Sequence, residues 1–199
     1  MAIIKPNNNT LSAITALPAA ITTGSLVKVH TITASDSANV SFSSTYLTST
    51  YARYVLEAYN IQSASDDVYL QMHFSTDNGS SYTPGTVTRI NISNTSSNSN
   101  DTISSRNTSG SGGLQLGSAS NFGTGTGEVG AFTFQLVNFS DTTHYKLLYY
   151  NGALYNASGV GGINAGASTI ATTSAINNIK FDFNSGNITA GTFILYGVN

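Results

Sequence analysis

Between Leu26 and Thr33 the chain alternates. Leu26, Lys28, His30 and Ile32 fall on one side, and Val27, Val29, Thr31 and Thr33 on the other. That period of two predicts a strand buried mainly on one face. It returns in "ANVSFSS" with Val40 and Phe42, and in the longer "RYVLEAYNIQ" and "DVYLQMHFST", which read as an antiparallel couple across "SASD". In "HFSTDNGSSY", Asp77-Asn78-Gly79 is the strongest local signal for a tight hairpin, because Asn and Gly tolerate positive φ. "TVTRINI" reads as a further strand. "EVGAFTFQLVNFS" places Phe132, Phe134 and Leu136 on one face and Val137 on the other, and "HYKLLYYNGALY" carries a second hairpin signal at Asn151-Gly152. "STIATTS", "INNIKFDFN" and "GTFILYGV" close the series. About ten short strands, with turn signals roughly every 8–15 residues and no long helix, predict an all-β, two-sheet antiparallel sandwich of jelly-roll-like type. "GTFILYGV" is apolar on both faces, so it is expected as a central strand beside early strands.

Two segments break the pattern. Residues 1–24 carry Ile3, Ile4, Leu11, Ile14, Leu17 and Ile21 in a stretch that Pro18 prevents from forming a sustained helix. They read as an extended N-terminal attachment arm whose apolar residues need a neighbour to cover them, ahead of a single sandwich domain over 25–199. The arm's apolar stretch is broken and has neither a charged start nor a convincing cleavage site, so it does not read as a secretory signal. Residues 93–127 are rich in Ser, Asn and Gly, and read as a long loop, either mobile or ordered by a partner.

Composition narrows the function. Only 8% of residues are charged, and the net charge is -2. That balance argues against a nucleic-acid partner, which would require a basic surface. No apolar run approaches the ~18 residues of a spanning helix, so no membrane insertion is expected. Ser, Thr, Asn and Gly make up nearly half the chain, a neutral surface better suited to packing on neighbours or touching sugars than to steering a charged metabolite. A β domain so poor in charge has little to blunt its sheet edges, so a closed homo-oligomer is expected. With no cysteine, neither disulfides nor thiolate metal sites can form.

Candidate chemistry is sparse. His30, His73 and His144 are widely spaced and carry no ligand motif, so partly exposed strand positions are the expectation rather than a three-histidine metal site. Asp66-Asp67 reads as turn chemistry. "TDNGSS" lacks the spacing and distal Glu of a calcium loop, and "GTGTGE" (123–128) leads into a strand rather than a helix that could cradle phosphate. No G-x-S-x-G is present, and paired catalytic carboxylates are hard to assemble from nine acids. No catalytic residue, metal or cofactor is therefore expected. The N-x-[ST] triplets are what chance gives in so Asn- and Ser-rich a chain. Eleven tyrosines suit interfaces and sugar surfaces, having an apolar body and a polar tip. Tyr149, Tyr150 and Tyr155 are the candidates for surface or ligand contact, since at least one must point outward.

Three passages taken together resemble a known family: "NVSFSSTYLTSTYARYVLEAYNIQSASDDVYLQMHFSTDNGSSY", "TTSAINNIKFDFNSGNITAGTFILYGV" and the "MAIIKP" start with its apolar arm. The pattern is similar to virion structural proteins of tailed phages, particularly of marine and cyanobacterial hosts, described as tail-fibre-like, adhesin or head-decoration components. The likeness covers roughly residues 26–92 and 128–198 and rests on strands and turns. It implies a non-enzymatic virion protein, a homotrimer attached to other virion proteins as a capsid decoration or cement protein. The alternative is a tail-tip or fibre adhesin that binds host surface glycan. The chain lacks the extended stalk of the longer fibre-like members, which favours a compact surface protein.

Overall fold

A computed structural model describes residues 26–82, 87–95, 102–108, 113–116, 121–155, 157 and 161–199. The expected arm, with Ile3, Ile4, Leu11, Ile14, Leu17 and Ile21, lies outside the described residues. The described chain forms twelve strands: β1 (Leu26–Ser37), β2 (Val40–Phe42), β3 (Arg53–Ser63), β4 (Leu70–Ser75), β5 (Val87–Thr95), β6 (Thr102–Thr108), β7 (Leu114–Leu116), β8 (Gly130–Val137), β9 (Lys146–Tyr155), β10 (Gly161–Ile170), β11 (Asn178–Phe183) and β12 (Ile188–Val198). Eight pair in the order β1-β12-β3-β8-β9-β10-β5-β6 and four in the order β2-β11-β4-β7. Every pair is antiparallel. The fold is thus the all-β sandwich that the alternation predicts, and no helix among the described residues is long and apolar enough to cross a membrane.

The core is what the period of two buries between the sheets. β3 turns Tyr54, Leu56, Ala58 and Ile61 inward, β4 supplies Leu70, Met72 and Phe74, and β8 supplies Phe132, Phe134 and Leu136. Phe181 of β11 bridges the layers, with its ring 5.7 Å from Phe134 and 5.2 Å from Phe193. Such offset aromatic contacts add to the area they remove from water. β12 is central, flanked by β1 and β3, with Phe193 and Leu195 fully buried.

Four expectations are corrected. β3 and β4 do not pair; they belong to opposite sheets. The link between them carries the chain from one layer to the other, with Asp67 at φ 57° and the Ala64 amide bonded to the Asn187 carbonyl at 2.9 Å. Asn78 and Gly79 do adopt positive φ, at 59° and 91°, but the strands on either side of this turn, β4 and β5, also lie in different sheets, so the turn closes no hairpin. Asn151-Gly152 is no turn at all, because β9 runs straight through it. Glycine is needed there for close approach: a Cβ would fall 2.3 Å from Phe132 Cδ1 and 2.5 Å from the Ala131 carbonyl oxygen. Finally, the stretch 93–127 is not one loop. It holds the end of β5, all of β6 and β7, and Phe122, which is buried in the core and bridged to Val68. Leu114, Leu116 and Phe122 of this stretch go inside.

Candidate functional site

The eight-stranded sheet has one face on the core and one facing away. Its outward rows follow directly from the register. One runs Ile194, Glu57, Thr133, Asn151, Ala165 across β12, β3, β8, β9 and β10. Beside it runs Tyr196, Val55, Gln135, Tyr149, Ala167. On the other side Thr192 pairs with Tyr59, and Ala131 with Ala153 and then Ile163. Within these five strands Arg53 and Glu57 are the charged side chains on the outward face, since Lys146 is buried.

A trough follows β8 across this face. The small residues Ala131 and Thr133 form its floor, Glu57 and Tyr59 of β3 stand on one side, and Asn151 of β9 stands on the other. With backbone from Ala58, Phe132 and Gly152 they enclose about 220 Å³. A local irregularity follows directly after the Tyr59 wall. Alternation in β3 holds from Tyr54 to Ala58 and then slips, so that Tyr59 and Asn60 are both exposed before Ile61 returns inward. Asn60 sits at φ 54°, and the register against β8 shifts between Ala58 and Ile61. This is a bulge, which bends its strand and re-aims side chains. Asn60 is the extra residue it turns outward, beside Tyr59, which alternation already places on this face and which is 39% exposed. Burial pushes the Tyr196 phenol up, and the charge of neighbouring Glu57 adds to that.

The tyrosines singled out by sequence are divided between the two faces. Tyr149 and Tyr155 are exposed, at 49% and 48%, whereas Tyr150 is 5% exposed and packs inward near Phe134. Tyr150 therefore cannot belong to a surface contact. Tyr149 lies one row away from Asn151, and Tyr155 pairs with Gly161 at the end of β9. Sequence reading missed Glu57, Tyr59, Thr133 and Asn151. The signal that could have found them is the broken alternation in "EAYNIQ", which marks a bulge and with it a pair of consecutive outward residues.

The histidines do not converge, and no group of three His, Cys, Asp or Glu among the described residues could hold a metal ion. His30 on β1 stacks on Tyr46 with ring centroids 3.9 Å apart. His144 precedes β9 rather than lying in a strand, and bonds Asp141 at 3.2 Å. His73 is buried on the outer side of the four-stranded sheet, where its Nε2 meets Asp182 Oδ1 at 2.8 Å. Lys180 also reaches Asp182, at 2.7 Å, and lies over the Tyr82 ring at 4.6 Å. Burial alone would raise the Asp182 carboxyl, but its bonds to His73 and Lys180 outweigh that and hold it below the usual range. Asp67 is the turn residue expected, accepting a bond from Asn121 at 2.7 Å. In "GTGTGE" the Glu128 carboxylate accepts the Gly125 amide at 2.7 Å, so the loop folds around its own acid.

Fold and trough together define an all-β sandwich with a charge-poor, tyrosine-flanked sheet face. Comparison with family models, with curated proteins and with solved structures finds no match to this chain.

Proposed function

We propose that this protein is a non-enzymatic structural component of a tailed-phage particle, attached to the capsid exterior as a decoration or cement protein. The observation that carries the reading is the outward face of the eight-stranded sheet. Five adjacent strands put only Arg53 and Glu57 on it as charges, among alanines, threonines, Tyr149, Tyr155, Tyr196 and Ile163. Charge depletion with tyrosine enrichment is the composition of a protein interface, not of a free surface. Strand order supports a finer description of the fold. On this reading β1-β12-β3-β8 and β2-β11-β4-β7 would correspond to the two sheets of a jelly roll, with β5-β6 and β9-β10 as additions to one of them. The sequence likeness to virion proteins supports the setting, and a closed homotrimer would bury the sheet edges that so few charges protect.

The apolar residues of 1–24 give this reading its test. The whole chain should sediment with capsids of the phage that carries it. A chain lacking residues 1–24 should stay in the supernatant while keeping a cooperative melt. Equal sedimentation of the two chains, or no sedimentation of either, would count against the proposal.

A further inference from the structure

We propose that the trough along β8 binds a single neutral hexose ring of a glycan. The chemistry of its walls points there. Tyr59 offers a partly exposed aromatic ring at one side, and the C–H face of a pyranose packs on such a ring while its hydroxyls reach outward. Around that ring stand three side chains of complementary kinds. Glu57 accepts only, Asn151 both donates and accepts, and Thr133 can do either from the floor. A sugar hydroxyl, itself donor and acceptor, is the group such a mixture satisfies. Glu57, Thr133 and Asn151 stand directly opposite one another on the paired strands β3, β8 and β9, so their spacing is set before a ligand arrives, which lowers the ordering cost of binding.

Size and charge narrow the ligand. The trough's 220 Å³ is below the roughly 300–1,000 Å³ of sites that engulf a drug-sized molecule, so one ring fits rather than a long segment. Its lining includes a carboxylate and no lysine or arginine, which disfavours uronic acids and other anionic sugars. The floor of Ala131 and Thr133 lets the ring approach the sheet closely. Two other cavities lack this combination. One, of about 530 Å³ beside residues 123–128, has no aromatic side chain in its lining. In the other, of about 370 Å³ beside Tyr51, the lining carboxylate of Asp141 already caps its own turn.

Saturation-transfer NMR and calorimetric titration of the whole chain with glucose, galactose, mannose, N-acetylglucosamine and glucuronate would test the site. At least one neutral sugar should bind, with a millimolar Kd. Tyr59→Ala should weaken it about tenfold or more, and Asn151→Ala several-fold. Both residues are exposed, so melting should be unchanged. Tyr145→Ala, at an exposed tyrosine outside the trough, should leave binding intact. Absence of neutral-sugar binding at tens of millimolar, full binding by both the Tyr59 and Asn151 variants, or a preference for glucuronate would each overturn the proposal. The site is read from the chain alone, so its failure would leave the particle role standing, and a failed sedimentation test would leave the sugar site standing.

Discussion

Lys146 shows how one residue can organise a whole end of the sandwich. It is fully buried, and its Nζ donates to the carbonyl oxygens of Asp141, His144 and Thr173 at 2.6, 2.8 and 3.1 Å. One ammonium thereby satisfies backbone acceptors from two separate loops that would otherwise be costly to bury. Burial pushes the amine below the ordinary lysine value, with the Asp141 charge opposing that shift. Asp141 itself accepts the amides of His144 and Thr143, which hold its carboxyl at about 2. Asp77 is held at about 2 by the hydroxyls of Ser75 and Ser81 and by the Ser81 amide. These folded carboxyls release their protons at lower pH than an unfolded aspartate, near 3.9. The stability they contribute is therefore complete above about pH 4 and is lost as pH falls toward 2. Thermal melts between pH 5 and pH 2 should show Tm dropping over that interval. Asp77→Asn should melt lower at neutral pH and fall less steeply below pH 4. A parent Tm that stays level from pH 4 to pH 2 would show that these bonds do not couple to folding.

Among the elements, β12 offers the sharpest energetic test. Phe193 and Leu195 are fully buried, and so is Ile188, the first residue of the strand. Truncation of any of the three to alanine should cost about 2–5 kcal/mol through lost burial and the cavity left behind. Ile194→Ala, on the half-buried outward side, should cost less. Denaturant midpoints of the four variants would rank them, and Ile188→Ala matching the parent would refute its place in the core. The same element marks what the sequence made legible. Alternation located most strands and their buried faces, because burial on one side of a pleat imposes a period of two. Strand partners were not legible, because the inward residues of β3 and β4 would be equally well buried as a hairpin or as opposed layers. Asn-Gly is likewise ambiguous. At 78–79 it supplies positive φ, whereas at 151–152 glycine is required by the ring of Phe132, a contact made only after folding. β6 carries almost no apolar pattern, since its described role is backbone pairing with β5, and that leaves little trace in composition. The trough was illegible for a related reason: Glu57, Thr133 and Asn151 are far apart in the chain and meet only through the register of three strands.

Seen whole, the molecule interleaves its beginning with its end. β12 lies between β1 and β3, and β11 between β2 and β4. Among the described strands, β1 pairs only with β12, and β2 only with β11. The first two strands therefore have nothing to join until roughly 140 to 170 residues later in the chain, and closing so long a separation makes folding slow compared with folds built on local pairings. A chain stopped after Asn177 should lack a cooperative thermal transition and be cut rapidly by protease. A folded, protected product from that shortened chain would show that the early strands find other partners. The arrangement also sets a timetable during synthesis. β3 to β10 can begin to pair as they leave the ribosome, while Leu26 to Phe42 waits with its hydrogen-bonding edge uncommitted. An idle edge guarded by only two charges, Lys28 and Asp36, is an invitation to a neighbouring nascent chain. Yield of the folded protein should thus depend on how crowded its own copies are while they are being made.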